Sequence, residues 1–218
     1  MNGRYFIASA AIMTGVGLAT PGTGLAYTQS SRLTNPFEAT VYSRLAVAIG
    51  AAEGTRTVTG DKTPAYYGHV DPGNGVWNWG TFSFQHCAEA RYQCADQWEA
   101  DIFQLRRIQS FAWDYLRDYN LTELEFINAA DLFNQAPLAA YDFMQWLQHA
   151  KSKGLEGSKA IHYARVMSFT NRWGNLDAPG LGNSWAIVRA DQQRRMDRIA
   201  EVLETYTPPT GAITWSRG

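Results

Sequence analysis

Glu53 is the residue of this sequence whose position is hardest to explain by folding alone. Counting back in steps of four gives Ile49, Leu45 and Val41, so Glu53 continues the apolar stripe of a predicted helix. A carboxyl group at that place is partly removed from water and lies near the negative end of the helix dipole, and both effects raise its pKa. A glutamic acid that keeps its proton near neutral pH is suited to protonate a leaving glycosidic oxygen. The alternative is an ordinary solvent-facing glutamate at a helix end.

The segment from Ala65 to Gly80 gathers aromatic rings, glycines, amides and a carboxylate. Glycines permit tight turns and close approach of a ligand to the backbone, and flat rings match the C–H faces of sugars. Asp71 is the predicted second catalytic carboxylate, with Asp61 as its rival. The alternative is a well-packed β-hairpin region. The predicted substrate-binding residues are Tyr67, His69, Asn74, Trp77, Trp79, Thr81 and Gln85.

The sequence also predicts the helices and turns that hold Glu53 and the aromatic segment in place. Asn35-Pro36 predicts an N-cap and first turn for a helix from Phe37 to Ala52, which Gly54 ends. Glycines and prolines predict a turn-rich segment over residues 56–86, with short strands at 65–70 and 81–85. Thr122 and Glu125 form a predicted capping box. The later helices are predicted over 96–118, 122–134, 137–153, 158–173 and 184–206.

The layout is that of an α+β domain that is mainly α, a helical bundle with a small turn-rich β insertion lining a cleft. On the helix over 96–118, the candidate core residues are Ile102, Leu105, Ile108, Trp113 and Leu116. The run from Asp191 to Arg195 is predicted to be a solvated helix face. We expect one domain over residues 27–207 and a loose tail over 208–218.

The first 26 residues are typical of a secretory signal, with Arg4 before an apolar run and small residues at Gly24 and Ala26. We therefore expect a secreted, periplasmic or cell-envelope protein. Cys87 and Cys94 can pair only if no continuous helix joins them. The 218 residues carry a net charge of −1, which argues against nucleic acid as a partner. We expect a monomer that uses a polysaccharide substrate without a cofactor or metal.

The stretch from Ala48 to Thr55 resembles the end of the catalytic helix in phage-type endolysins. Glu53 followed by the segment from Tyr66 to Gly75 is similar to bacterial chitosanases of the lysozyme superfamily. The stretch from Gly80 to Gln85 resembles the glycine-to-glutamine segment of lytic transglycosylases, although Ser83 replaces a usual glycine. The resemblance covers about fifty residues. It implies a lysozyme-like fold and cleavage of a β-1,4-linked amino-sugar polymer.

The sequence also departs from these families. In an alignment on the glycine turn, the water-activating aspartate of chitosanases falls on Asn74, which cannot act as a base. Hydrolysis then requires Asp71 or Asp61 as the general base. Without such a base, Glu53 serves as both acid and base while the sugar's own 6-hydroxyl attacks, which gives an anhydro product as in lytic transglycosylases. A chitosanase cleft should be acidic because its substrate is cationic, whereas the segment from Ala65 to Gly80 has few carboxylates. The sequence therefore favours peptidoglycan, with a chitosanase-type hydrolase or a non-catalytic carbohydrate-binding protein as the alternatives.

Overall fold

The computed structural model describes residues 40–71, 75–88 and 94–209. These residues form seven α-helices and a small antiparallel sheet, whose strands come after the first helix and before the other six along the chain. Its strands are β1 (His69–Val70) and β2 (Trp77–Asn78), with His69 opposite Asn78. The predicted α+β class with mainly helical content is confirmed. The helices are α1 (Arg44–Glu53), α2 (Gln97–Tyr115), α3 (Glu123–Gln135), α4 (Pro137–Ala140), α5 (Phe143–Ser152), α6 (Gly157–Met167) and α7 (Trp185–Thr205).

Helix α1 lies at the centre of the fold. Every residue of Leu45–Glu53 is buried, and the helix packs mainly against α7 and α3. A helix buried on all sides needs an apolar surface on all sides, which this alanine-rich segment supplies. The prediction that the helix already runs through residues 40–43 is wrong, because the Ser43 side chain accepts a backbone N–H and caps the first turn at Arg44. Gly54 ends the helix as predicted, with a φ of 80°.

The later helices follow their sequence cues with two exceptions. Thr122 and Glu125 form the predicted capping box at the start of α3. The single helix predicted over 137–153 is broken into α4 and α5, and the ring of Tyr141 at the break packs against Tyr115 at 4.5 Å between ring centroids. Helix α6 ends at Met167, so residues 168–173 do not continue it.

Two further predictions about the fold are wrong. The predicted strands are misplaced: the first is only His69–Val70 rather than 65–70, because residues 64–67 form a turn of 3₁₀ helix, and the second is Trp77–Asn78 rather than 81–85, where the chain forms a turn in which Ser83 has a φ of 52°. Trp113 was a candidate core residue but is 43% exposed, whereas Leu105, Ile108 and Leu116 are buried.

Several sequence predictions fall outside the described residues. They are the signal over 1–26, the Asn35-Pro36 cap, Asn74, and the tail from residue 210 onward. Among the residues that are described, no helix has both the length and the apolar character needed to cross a membrane.

Candidate functional site

Glu53 lies at the C-terminal end of α1 and is only 5% exposed. Its Oε1 accepts two hydrogen bonds, from Arg195 Nη2 at 2.5 Å and from Asn134 Nδ2 at 2.8 Å. The same Asn134 nitrogen donates to the backbone oxygen of Phe82 at 3.1 Å. This bond connects the acid to the β insertion, the turn-rich segment over residues 56–86. Within the described residues, Glu53 Oε2 is buried and has no hydrogen-bond partner. The predicted removal of this carboxyl group from water is confirmed.

Arg195 connects Glu53 to a second buried carboxylate, Asp131. Its Nη2 donates to Asp131 Oδ1 at 2.7 Å and its Nε to Oδ2 at 2.9 Å. Arg165 donates to the same Oδ2 at 2.7 Å and is fixed by Gln192 Oε1, also at 2.7 Å. These four residues around Glu53 are all completely buried. The two arginines balance the two carboxylates, so the cluster has one net positive charge when Glu53 holds a proton.

The two carboxyl groups respond differently to this environment. Burial raises the pKa of Glu53 above its usual 4.5, although the charge of Arg195 opposes the increase. Burial also disfavours the charged form of Asp131, but Arg195 and Arg165 together hold the pKa of Asp131 below its usual 3.8. The contacts explain the difference, because Arg195 makes two hydrogen bonds to Asp131 and one to Glu53. Two acids with pKa values moved in opposite directions are typical of acid–base sites.

The prediction of a solvated face over residues 191–195 is wrong for Gln192 and Arg195, which are both completely buried. Spacings of three and four residues place both of them on the buried stripe of α7. A charged residue on an apolar stripe is the same pattern that identified Glu53, so the sequence contained this information. The other members of the stripe are Val188, Ile199 and Val202.

Thr81 is fully buried and connects the β insertion to α2. Its backbone N–H donates to Asp101 Oδ1 at 2.5 Å, and its hydroxyl donates to Oδ2 at 2.7 Å. The same hydroxyl accepts a hydrogen bond from Arg56 Nη2 at 2.8 Å. Burial raises the pKa of Asp101 to about 6, against the effect of the Thr81 donors. Because the hydroxyl is used inside the fold, we do not include Thr81 among the substrate contacts proposed below.

His69 is held inside the β insertion at both ring nitrogens. Its Nδ1 lies 3.0 Å from the backbone oxygen of Ala65, so this nitrogen carries the hydrogen. Its Nε2 then accepts from Ser83 Oγ at 3.0 Å, and Ser83 Oγ accepts from Asn78 Nδ2 at 3.3 Å. The φ of Ser83 is positive, 52°, a backbone conformation that glycine adopts more readily than other residues.

Three of the predicted substrate-binding residues, Trp77, Trp79 and Gln85, line one groove of about 620 Å³. This volume is in the range of small-ligand sites. Cys87 and Cys94 are joined in a disulfide bond, which forms part of the groove wall. Glu53 is not among the lining residues. The lining also includes Val76 and Ala95.

The remaining predicted site residues lie in different environments. Tyr67 is 60% exposed and immediately precedes Gly68, on which the ring of Trp77 rests. Asp71 is completely buried in the turn after β1, where its backbone N–H donates to Val76 O at 2.8 Å. Asn74 lies outside the described residues.

Asp61 is exposed, and its carboxylate accepts a hydrogen bond from Thr59 Oγ1 at 2.9 Å. Its loop packs on the C-terminal end of α7, where Thr205 Oγ1 donates to Val58 O at 3.2 Å. Asp71 instead follows β1 directly, and its backbone bonds to Val76, the residue before Trp77.

Replacing Gly68 with alanine is expected to displace the ring of Trp77 from the groove. The φ of Gly68 is 137°, and an added Cβ would overlap Cζ2 of Trp77. Gly75→Ala is the matched control, because Gly75 also has a positive φ, 71°, but no atom of the described residues lies within 4 Å of its added Cβ. The indole N–H resonance of Trp77 should shift in Gly68→Ala and stay unchanged in Gly75→Ala. An unchanged resonance in both variants would show that Trp77 does not rest on Gly68.

Within the described residues, no group of three or more His, Cys, Asp and Glu side chains is arranged to hold a metal ion. Compared with protein-family models, curated proteins and solved structures, the chain matches none of them.

Proposed function

We propose that this protein is a lysozyme-like enzyme that cleaves β-1,4-glycosidic bonds in peptidoglycan, with Glu53 as the general acid. The observation that carries the proposal is the asymmetry of the Glu53 carboxyl group. Arg195 and Asn134 both donate to Oε1, and neither donor nitrogen can accept a proton. The proton of the neutral acid therefore belongs on Oε2, which has no partner among the described residues.

In the proposed reaction, the proton moves from Glu53 Oε2 to the glycosidic oxygen while the bond from that oxygen to the anomeric carbon breaks. The oxygen keeps the bonding electron pair and leaves as a hydroxyl group. Glu53 becomes a carboxylate whose new charge faces Arg195. Bond formation to the anomeric carbon follows by one of two routes. A water molecule attacks with Asp71 as its base, or the 6-hydroxyl of the sugar attacks and returns its proton to Glu53.

The groove beside the β insertion supplies the proposed sugar contacts. Trp77 and Trp79 offer flat faces for pyranose rings, and Gln85 offers a hydrogen-bonding amide. Among the residues that the structure describes, the groove lining has no carboxylate, which suits an acetylated polymer better than a cationic one such as chitosan. Because Glu53 Oε2 is enclosed, the proposal requires substrate binding to uncover the acid, and the hydrolytic route requires it to uncover the buried Asp71 as well.

The test compares the parent protein with Glu53→Gln in zymograms that contain purified peptidoglycan or chitosan. We expect the parent to clear peptidoglycan and Glu53→Gln to leave it intact. Equal clearing by both proteins, or none by the parent, would overturn the proposal. Mass spectrometry of the fragments then separates the two routes, because hydrolysis leaves reducing ends and attack by the 6-hydroxyl leaves anhydro sugars. Clearing of chitosan alone would identify a chitosanase-type hydrolase.

One observation favours a second candidate, a non-catalytic carbohydrate-binding protein with the same fold. Glu53 is ion-paired with Arg195 and enclosed, as a purely structural carboxylate would be. In that case the parent and Glu53→Gln should sediment equally with insoluble peptidoglycan, and neither should release fragments. Trp77→Ala should weaken sedimentation under both candidate functions, because it removes a groove face.

A further inference from the structure

A chain of three hydrogen bonds joins Glu53 to an arginine on α2. Arg107 Nη1 donates to Gln104 Oε1 at 2.9 Å, and Gln104 Nε2 donates to Asn134 Oδ1 at 2.8 Å. Asn134 Nδ2 completes the chain with its 2.8 Å hydrogen bond to Glu53 Oε1. Gln104 and Asn134 are both buried, so the last two bonds are shielded from water, whereas Arg107 is half-buried.

The direction of every bond in this chain is set at its outer end. An arginine only donates, so the oxygen of Gln104 must face Arg107 and its nitrogen must face Asn134. Asn134 then receives this bond on its oxygen and turns its nitrogen toward Glu53. The backbone oxygen of Phe82, which only accepts, lies 3.1 Å from the same nitrogen and favours the same orientation. Glu53 Oε1 therefore always meets a donor.

We propose that Arg107 is a remote positioning residue, which through Gln104 and Asn134 adds to the effect of Arg195 in keeping Glu53 Oε1 an acceptor and the transferable proton on Oε2. The inference rests on the proposed function of Glu53. The Arg107 cation is itself fixed, because it lies over the rings of Phe84 and Phe133 at 5.8 and 5.9 Å.

Arg107 acts on Glu53 from a different side than the charges that face the acid directly. Those charges are Arg195 and Arg194 of α7 and Asp131 of α3. Arg107 belongs to α2 and reaches the acid through neutral amides. Its removal should therefore change the donor strength at Oε1 while leaving the buried ion pairs in place.

The test is Arg107→Met, with Arg107→Lys as the conservative rescue and Arg106→Met as the control. Arg106 is an exposed neighbour on the same helix. We expect Arg107→Met to lower kcat on peptidoglycan by about three- to tenfold with little change in KM, since the effect is on the acid and not on binding. The alkaline limb of the pH profile should move up by about half a pH unit, because a weaker donor stabilises the carboxylate less. Arg107→Lys should restore most of the kcat.

Gln104→Glu provides a second variant of the same shape. It replaces the donor to Asn134 with an acceptor and should change kcat in the same direction even though Arg107 is present. Parent-like kcat and pH limb in both Arg107→Met and Gln104→Glu would overturn the proposal, as would an equal loss in Arg106→Met.

A measurement that needs no activity separates this proposal from the proposed function. The pKa of the Glu53 carboxyl group can be followed by carbon-detected NMR in the parent, Arg107→Met and Arg106→Met proteins. A higher pKa in Arg107→Met alone supports the positioning role, even if the parent cleaves no glycan. An unchanged pKa contradicts the role, even if the parent is an active enzyme.

Discussion

Glu53→Gln is expected to lower kcat for peptidoglycan cleavage by about a thousandfold, within the range observed for removal of a general acid. The glutamine oxygen can still accept from Arg195 and Asn134, so the site should keep its shape. Its amide nitrogen replaces Oε2 and has no proton to give at any accessible pH. The measurement is release of soluble fragments from purified peptidoglycan. The result contradicts the proposal if the variant keeps more than about a tenth of the parent rate.

The same substitution has a pH-dependent effect on stability. The pKa of Glu53 is raised in the folded protein, so its contribution to stability is fully present below about pH 4.5 and is lost as the pH rises through the folded pKa. A glutamine side chain does not titrate, so Glu53→Gln should gain stability relative to the parent as the pH increases from 4 to 7. Thermal unfolding of both proteins across this range checks the sign. A difference in Tm that stays constant would show that Glu53 titrates as it does in water.

Arg195→Met is expected to cost about 3–5 kcal/mol of unfolding free energy, the usual effect of breaking a buried ion pair by removing one partner. Methionine fills much of the space but donates no hydrogen bond. Glu53 loses its cation, and Asp131 keeps only Arg165. Chemical denaturation of the parent and the variant at neutral pH measures the loss.

The matched control for Arg195→Met is Arg198→Met, three residues later on α7. Arg198 also contacts a glutamate, Glu201, at 2.9 Å, but this pair is exposed. Exposed pairs contribute about 0–1 kcal/mol, so the control should unfold nearly as the parent does. Equal losses of stability in Arg195→Met and Arg198→Met would show that the buried cluster around Arg195 does not hold α1, α3 and α7 together.

Local patterns in the sequence were sufficient for much of the fold. The capping box at Thr122 and Glu125 correctly placed the start of α3, and the stripe through Ile49 correctly placed Glu53 in the interior. Both features depend on residues within one or two helical turns. At the break between α4 and α5, Tyr141 contacts the ring of Tyr115 on α2, a contact between distant residues that local spacing does not reveal.

The partners of Glu53 were harder to predict for the same reason. Asn134 is 81 residues away in the chain and Arg195 is 142 residues away, so only the folded structure brings them to Oε1. The type of a side chain also did not show whether it binds substrate or bonds inside the fold. Thr81 and His69 have groups that bind sugars, but hydroxyl and imidazole groups serve equally well as internal links, and here they bond to Asp101 and Ser83.

Whether the disulfide bond in the groove wall forms depends on the redox state of the compartment that holds the chain. Thiols stay reduced in most cytosols and are oxidised in secretory compartments and the bacterial periplasm. A chain still inside a reducing compartment would lack the covalent link between Cys87 and Cys94 that closes one side of the groove. For an exported protein, the surface beside Trp77 and Trp79 would thus be completed only after translocation.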